Sequence, residues 1–117
     1  MTFKIIILRS AEADLRELRR YLNKRFGPPA WDRSYAQIKQ AVARIATHLR
    51  VGKLPDELTA LNLMQYRQVL AHRNRITYEL RDELAFVHVI CDARMDLRTL
   101  LMRRILEVEP LAGQDGS

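Results

Sequence analysis

The chain opens on a short β-branched run, residues 3–8 (FKIIIL), which predicts a strand buried on both faces. Ser10 follows, with Glu12 and Asp14 close behind, and this pattern marks Ser10 as a helix N-cap. Ala11, Leu15, Leu18, Leu22 and Phe26 then recur at helical spacing, leaving Arg16, Arg19, Arg20, Asn23 and Lys24 on the other side. Gly27, Pro28 and Pro29 end that amphipathic helix, because glycine accepts an unusual C-cap geometry and proline has no N–H to continue the ladder. A second helix is expected from about Ala30. Its apolar seam is Trp31, Tyr35, Ile38, Val42, Ile45 and Leu49, so the two helices form a hairpin. Trp31 and Tyr35 fit either the seam or an exposed groove for a partner.

Residues 50–63 contain Gly52 and Pro55 and read largely as loop. Three β-rich stretches follow, Met64 to Leu70, Arg75 to Arg81 and Ala85 to Cys91, joined by turns at His72–Asn74 and Asp82–Glu83. They predict an antiparallel meander in which Ile76, Tyr78 and Leu80 face the core and Arg75, Thr77 and Glu79 form a charged outer face. Asp96 to Leu106 predicts a last helix with Leu97, Leu100, Leu101 and Ile105 inward and Arg98, Arg103 and Arg104 outward. The expected fold is α+β: an N-terminal strand, a two-helix hairpin packed on a small antiparallel sheet of the meander plus strand one, and a C-terminal helix. One domain over residues 1–112, followed by a short flexible tail at 113–117, accounts for the pattern.

Composition narrows the class. With 117 residues, of which 48% are hydrophobic and only 4 are glycine and 4 proline, the chain suits one compact domain rather than a fibrous or low-complexity protein. Lys and Arg number 20 against 14 acidic residues, for a net charge of +6, and most of the cations are arginine. Arginine's planar fork suits carboxylates and phosphates, so an acidic partner is expected, either a nucleic acid or a carboxylate-rich protein segment. A single cysteine, Cys91, excludes an internal disulfide and any multi-cysteine metal site, which fits a cytoplasmic protein. The opening apolar run is far too short for a membrane span, so no membrane role is expected.

No glycine-rich phosphate loop, paired His/Cys ligand spacing or nucleophile elbow occurs, so neither a metal nor a cofactor is expected. The informative cluster is arginine on the sheet: Arg67, Arg73, Arg75 and Arg94, with Arg98 on the last helix. These converge only if Arg67 and Arg75 share a face. His72 and His88 are the neighbouring groups able to move a proton near neutral pH, although a mid-strand His88 also fits a satisfied sheet residue. Cys91 reads as a small buried hydrophobe.

Taken together, these residues resemble the RelE/ParE superfamily of toxins from type II toxin-antitoxin modules, most closely its ParE branch. The resemblance spans nearly the whole chain. It is carried by Ser10, Ala13, Asp14 and Leu15; by Tyr21, Gly27 and Ala30; by Gly52, Leu54, Pro55 and Leu58; by Tyr66, Arg67, Arg75, Ile76 and Tyr78; and by Ile90 to Asp96 with Leu100 and Leu101. It implies a toxin bound by a ParD-like antitoxin along the hairpin and sheet in a heteromeric complex. Trp31, Tyr35, Arg19, Arg67 and Arg75 are the implied contacts. The ParE branch further implies inhibition of DNA gyrase, with Arg94, Asp96 and Arg98 touching the target. The RelE branch implies ribosome-dependent mRNA cleavage, with Arg67, Arg75 and Arg94 at the phosphate and His72 or His88 as base. RelE-type nucleases carry a C-terminal tyrosine, but here no tyrosine follows Tyr78, which favours the non-enzymatic reading.

Overall fold

The computed structural model describes residues 2–93 and 98–104. β1 (Lys4–Ile7) leads into α1 (Arg9–Phe26), and α2 (Pro28–Thr47) returns beside it. A one-turn helix, α3 (Asp56–Thr59), precedes β2 (Tyr66–Ala71), β3 (Asn74–Arg81) and β4 (Leu84–Asp92). Residues 98–104 are helical again. The sheet order is β1-β4-β3-β2, antiparallel through the meander, with β1 added parallel to β4. The architecture is therefore the expected α+β arrangement, and the parallel β1 makes its sheet mixed. The expected tail at 113–117 and both ends of the expected last helix lie outside the described residues.

Several local expectations change. β1 is an edge strand, and its three isoleucines are only half-buried instead of enclosed on both faces. Ser10 is not the N-cap of α1: Leu8 holds that position, and the Ser10 hydroxyl donates instead to the His88 carbonyl, 3.2 Å away. Gly27 does end α1, at φ 93°, a conformation that disfavours any side chain. α2 starts at Pro28 rather than near Ala30, because the two prolines occupy its first turn, where a missing N–H costs nothing. Phe26 leaves the apolar stripe of α1 and is 62% exposed, its ring edge-on to Tyr21.

One face of the sheet packs on the hairpin. Val69, Ala71, Ile76, Tyr78, Ala85, Val87 and Ile90 meet Ala11, Ile38, Ala41 and Ile45 in the main core. The opposite face is not the charged surface that strand alternation predicts. Leu58, Tyr66, Val89, Cys91 and Leu101 form a second core there, flanked by Leu63 and Leu100. A β-bulge produces the change. Thr77 opposes Val89 and Tyr78 opposes Val87, so His88 has no opposite residue and the alternation of β4 shifts by one. The helical segment 98–104 and α3 then cover a face that would otherwise be wet.

Candidate functional site

The hairpin surface carries an unusual stack. Trp31 and Tyr35, one turn apart on α2, stack with ring centroids 5.1 Å apart and planes at 17°. The Arg19 guanidinium of α1 sits 6.0 Å from the Trp31 ring, and the Lys39 ammonium sits 4.7 Å from Tyr35. Tyr35 is 39% exposed and Trp31 half-buried, so the pair lies at the outer end of the seam rather than inside it. Each cation–ring contact at an exposed site contributes about 0.5–1 kcal/mol, enough to hold the rings flat as a platform. The two cations therefore lie over the rings of the stack, which makes the platform both aromatic and positive.

The sheet arginines do not converge. Arg67 opposes Tyr78, whereas Arg75 opposes Leu70 and Cys91, which places the two arginines on opposite faces. Each is also engaged. Arg67 donates to the Gly52 carbonyl at 2.9 Å. Arg75 donates to the Ala93 carbonyl at 3.1 Å and to Glu57 at 2.9 Å. His72 and Arg73 are exposed in the β2–β3 turn, where His72 has φ 59°. Arg98 is exposed on the helical segment, and Arg94 and Asp96 lie outside the described residues.

His88 is buried, and its Nε2 lies 2.8 Å from Glu79. An ionised carboxylate only accepts, so Nε2 carries the proton, while Nδ1 has no partner among the described residues. Burial raises the Glu79 pKa, but hydrogen bonds from His88 and Arg81 outweigh it and hold the carboxyl below its ordinary 4.5. A carboxyl depressed in the native state stabilises the fold above its unfolded pKa, and that contribution is lost as pH falls through the lower native value. Urea titrations at acid pH are therefore expected to show a loss of stability below about pH 4.5 that Glu79→Gln flattens. Cys91 is buried and its pKa is pushed up to about 11, so the thiol stays protonated and inert at neutral pH.

The ion pair that sequence periodicity misses joins the two ends of the domain. Arg104, expected to point outward, turns in and grips Asp14 through two nitrogens at 2.6 and 3.0 Å. It also donates to the His88 carbonyl at 3.0 Å, while Asp14 accepts the Ile90 N–H at 2.9 Å. The His88 bulge thus ties α1, β4 and the helical segment together. Beside this knot, a cleft of about 630 Å³ opens between α1 and the ends of β3 and β4.

Comparison with known proteins adds identity to this geometry. A family model described as the ParE toxin of the parDE type II toxin-antitoxin system matches residues 5–97. Among solved structures, the toxin-antitoxin complex RelBE2 from Mycobacterium tuberculosis is similar at 21% identity and a TM-score of 0.47, covering 79% of this chain and 99% of that one. No curated protein matches the sequence.

Proposed function

The chain belongs to the ParE toxin family of type II toxin-antitoxin systems, and from that premise we propose that it arrests replication by inhibiting DNA gyrase until a ParD-like antitoxin binds it. The observation that carries the choice of target is the dispersal of the groups a nuclease needs. Arg67 and Arg75 sit on opposite faces and are already bonded, and His88 is buried against Glu79. General acid–base transfer requires a group within hydrogen-bond reach of the reacting proton, and this arrangement supports binding over cleavage. Gyrase contacts are assigned to Arg94, Asp96 and Arg98 at the junction after β4. The protein acts in the cytoplasm; no helix among the described residues is long and apolar enough to cross a membrane.

Purified toxin is expected to inhibit gyrase supercoiling and to leave mRNA uncut in a translating extract. Intact supercoiling at a molar excess of toxin, or codon-phased cuts, would favour the ribosome-dependent nuclease instead.

The antitoxin is assigned to the hairpin platform. An acidic segment laid there places its apolar side chains on Trp31 and Tyr35 and its carboxylates on Arg19 and Lys39. Arg67 and Arg75 extend the contact only where that segment wraps from one face of the sheet to the other. The double substitution Trp31→Ala, Tyr35→Ala is expected to weaken antitoxin binding about thirtyfold, equivalent to about 2 kcal/mol, in a calorimetric titration.

A further inference from the structure

A recess of about 280 Å³ opens where the tip of the hairpin meets the β2–β3 turn, and neither the gyrase contacts nor the antitoxin platform uses it. Phe26, the last residue of α1, lines it together with Arg33, Ser34 and Gln37 of α2 and His72 and Arg73 of the turn. Arg33 and Gln37 are one turn apart and lie on the opposite flank of α2 from Trp31 and Tyr35, with the core-facing stripe of Ile38, Ala41 and Ile45 between them. The recess is therefore a surface separate from the platform.

Its cations differ from those of the sheet. Arg67, Arg75 and Arg104 are each bonded to carbonyls or carboxylates of the fold. The exposed Arg33 and Arg73 side chains make no ion pair or hydrogen bond among the described residues. Two guanidiniums brought to one recess by different elements repel each other until an anion lies between them, and no carboxylate stands among its described lining residues. Lys24 and Arg25, in the last turn of α1, extend the positive surface, and Asp32 is the single carboxylate between residues 24 and 37.

The second observation is independent of charge. Phe26 is 62% exposed, with Tyr21 edge-on to its ring at 6.4 Å and the Arg25 guanidinium 6.0 Å from its centroid. An exposed aromatic ring beside unpaired arginines joins a stacking surface to an anion site, which is how single-stranded nucleic acid is held without regard to sequence. A carboxylate-rich peptide would use the arginines and leave the ring without a planar partner.

We propose that this recess binds single-stranded nucleic acid, with one phosphate between Arg33 and Arg73 and the adjoining base stacked on Phe26. His72, Ser34 and Gln37 supply further hydrogen-bond donors to phosphate and sugar oxygens. The contact is made by the toxin alone, so it stands or falls separately from the choice of gyrase as target.

The test is fluorescence anisotropy of the full chain with a labelled oligothymidylate of about twelve nucleotides, followed across a salt series. Binding is expected at low salt and weakens as salt rises. Arg33→Gln combined with Arg73→Gln is expected to weaken it about tenfold or more, and to make the dependence of log K on log salt shallower by about 0.7, the share of one phosphate on a single strand. Phe26→Ala is expected to weaken it about tenfold with the salt slope unchanged, and Phe26→Trp to restore it. Arg16→Gln combined with Arg50→Gln removes the same charge outside the recess and is expected to change affinity less than about threefold. All of these positions are exposed, so folding is not at stake. No binding at low salt, equal losses in the two arginine pairs, or an unaffected Phe26→Ala would overturn the proposal. Displacement by oligoglutamate of equal charge as readily as by unlabelled strand would overturn it in favour of an acidic protein segment.

Discussion

Replacing Asp14 by leucine is expected to lower the free energy of unfolding by about 3 kcal/mol, and Arg104→Leu by a similar amount. The paired side chains are only 14% and 15% exposed, and each has a further obligation, Asp14 to the Ile90 N–H and Arg104 to the His88 carbonyl. Removing one partner leaves the other charge largely out of water with no counter-charge opposite it, which is the expensive outcome for a buried pair. For a domain of this size about 3 kcal/mol corresponds to a fall in Tm of roughly 12 °C. The double variant decides between a true pair and two separate anchors. Leucine at both positions fills the space without stranding a charge, so the double loss is expected to be at least about 1 kcal/mol smaller than the sum of the single losses in urea denaturation. Additive losses would mean that the two ends of the domain are held independently.

That pair shows where reading the sequence stops. The hairpin was legible because each helix writes its own period: Leu15, Leu18, Ile38, Val42 and Ile45 sit where the three-and-four spacing puts them. Gly27 and the two prolines mark the break without ambiguity. Asp14 and Arg104, ninety positions apart, leave no periodic trace, and an arginine on a short helix reads as solvated until its partner is known. The bulge at His88 is equally silent, yet it moves Val89 and Cys91 to the second core and makes the strand alternation misleading beyond it.

One misplacement had a usable signal. If the β2–β3 turn is taken as the two residues His72 and Arg73, then Ala71 pairs with Asn74, and counting back sets Arg67 opposite Tyr78. That register puts Arg67 on the hairpin face and Arg75 on the other. A three-residue turn from His72 to Asn74 hides this parity. The platform residues were legible as a choice, and tertiary packing made it: the sheet reaches Ile38 but not Tyr35, so the stripe is core at one end and surface at the other.

Gly52→Ala is expected to cost about 3 kcal/mol, because the residue is kept by contact and not by backbone conformation. A Cβ at this position would stand 2.7 Å from the Gln68 carbonyl, 2.7 Å from the Tyr78 hydroxyl and 2.9 Å from the Tyr78 ring. The crowding is built into the fold. Lys53 pairs with Gln68 as an extra bridge on the β2 edge, and the Gly52 N–H donates to the Tyr78 hydroxyl at 2.9 Å. That hydroxyl donates in turn to the Leu49 carbonyl at 2.7 Å, and the Gly52 carbonyl takes Arg67. Tyr78→Phe alone removes the hydroxyl from a buried network and is expected to cost about 2 kcal/mol, since the Gly52 N–H loses its acceptor. The combination is the informative measurement. If the hydroxyl were the only obstacle, phenylalanine would rescue the alanine variant. The Gln68 carbonyl is main chain of β2, which β3 holds in register, and it accepts the N–H of Lys53 next to the glycine, so it has little room to retreat and the double variant is expected to remain at least as unstable as Gly52→Ala in thermal and urea unfolding. Rescue to the level of Tyr78→Phe alone would show that the loop can lift from β2, and that the glycine serves the tyrosine and not the strand.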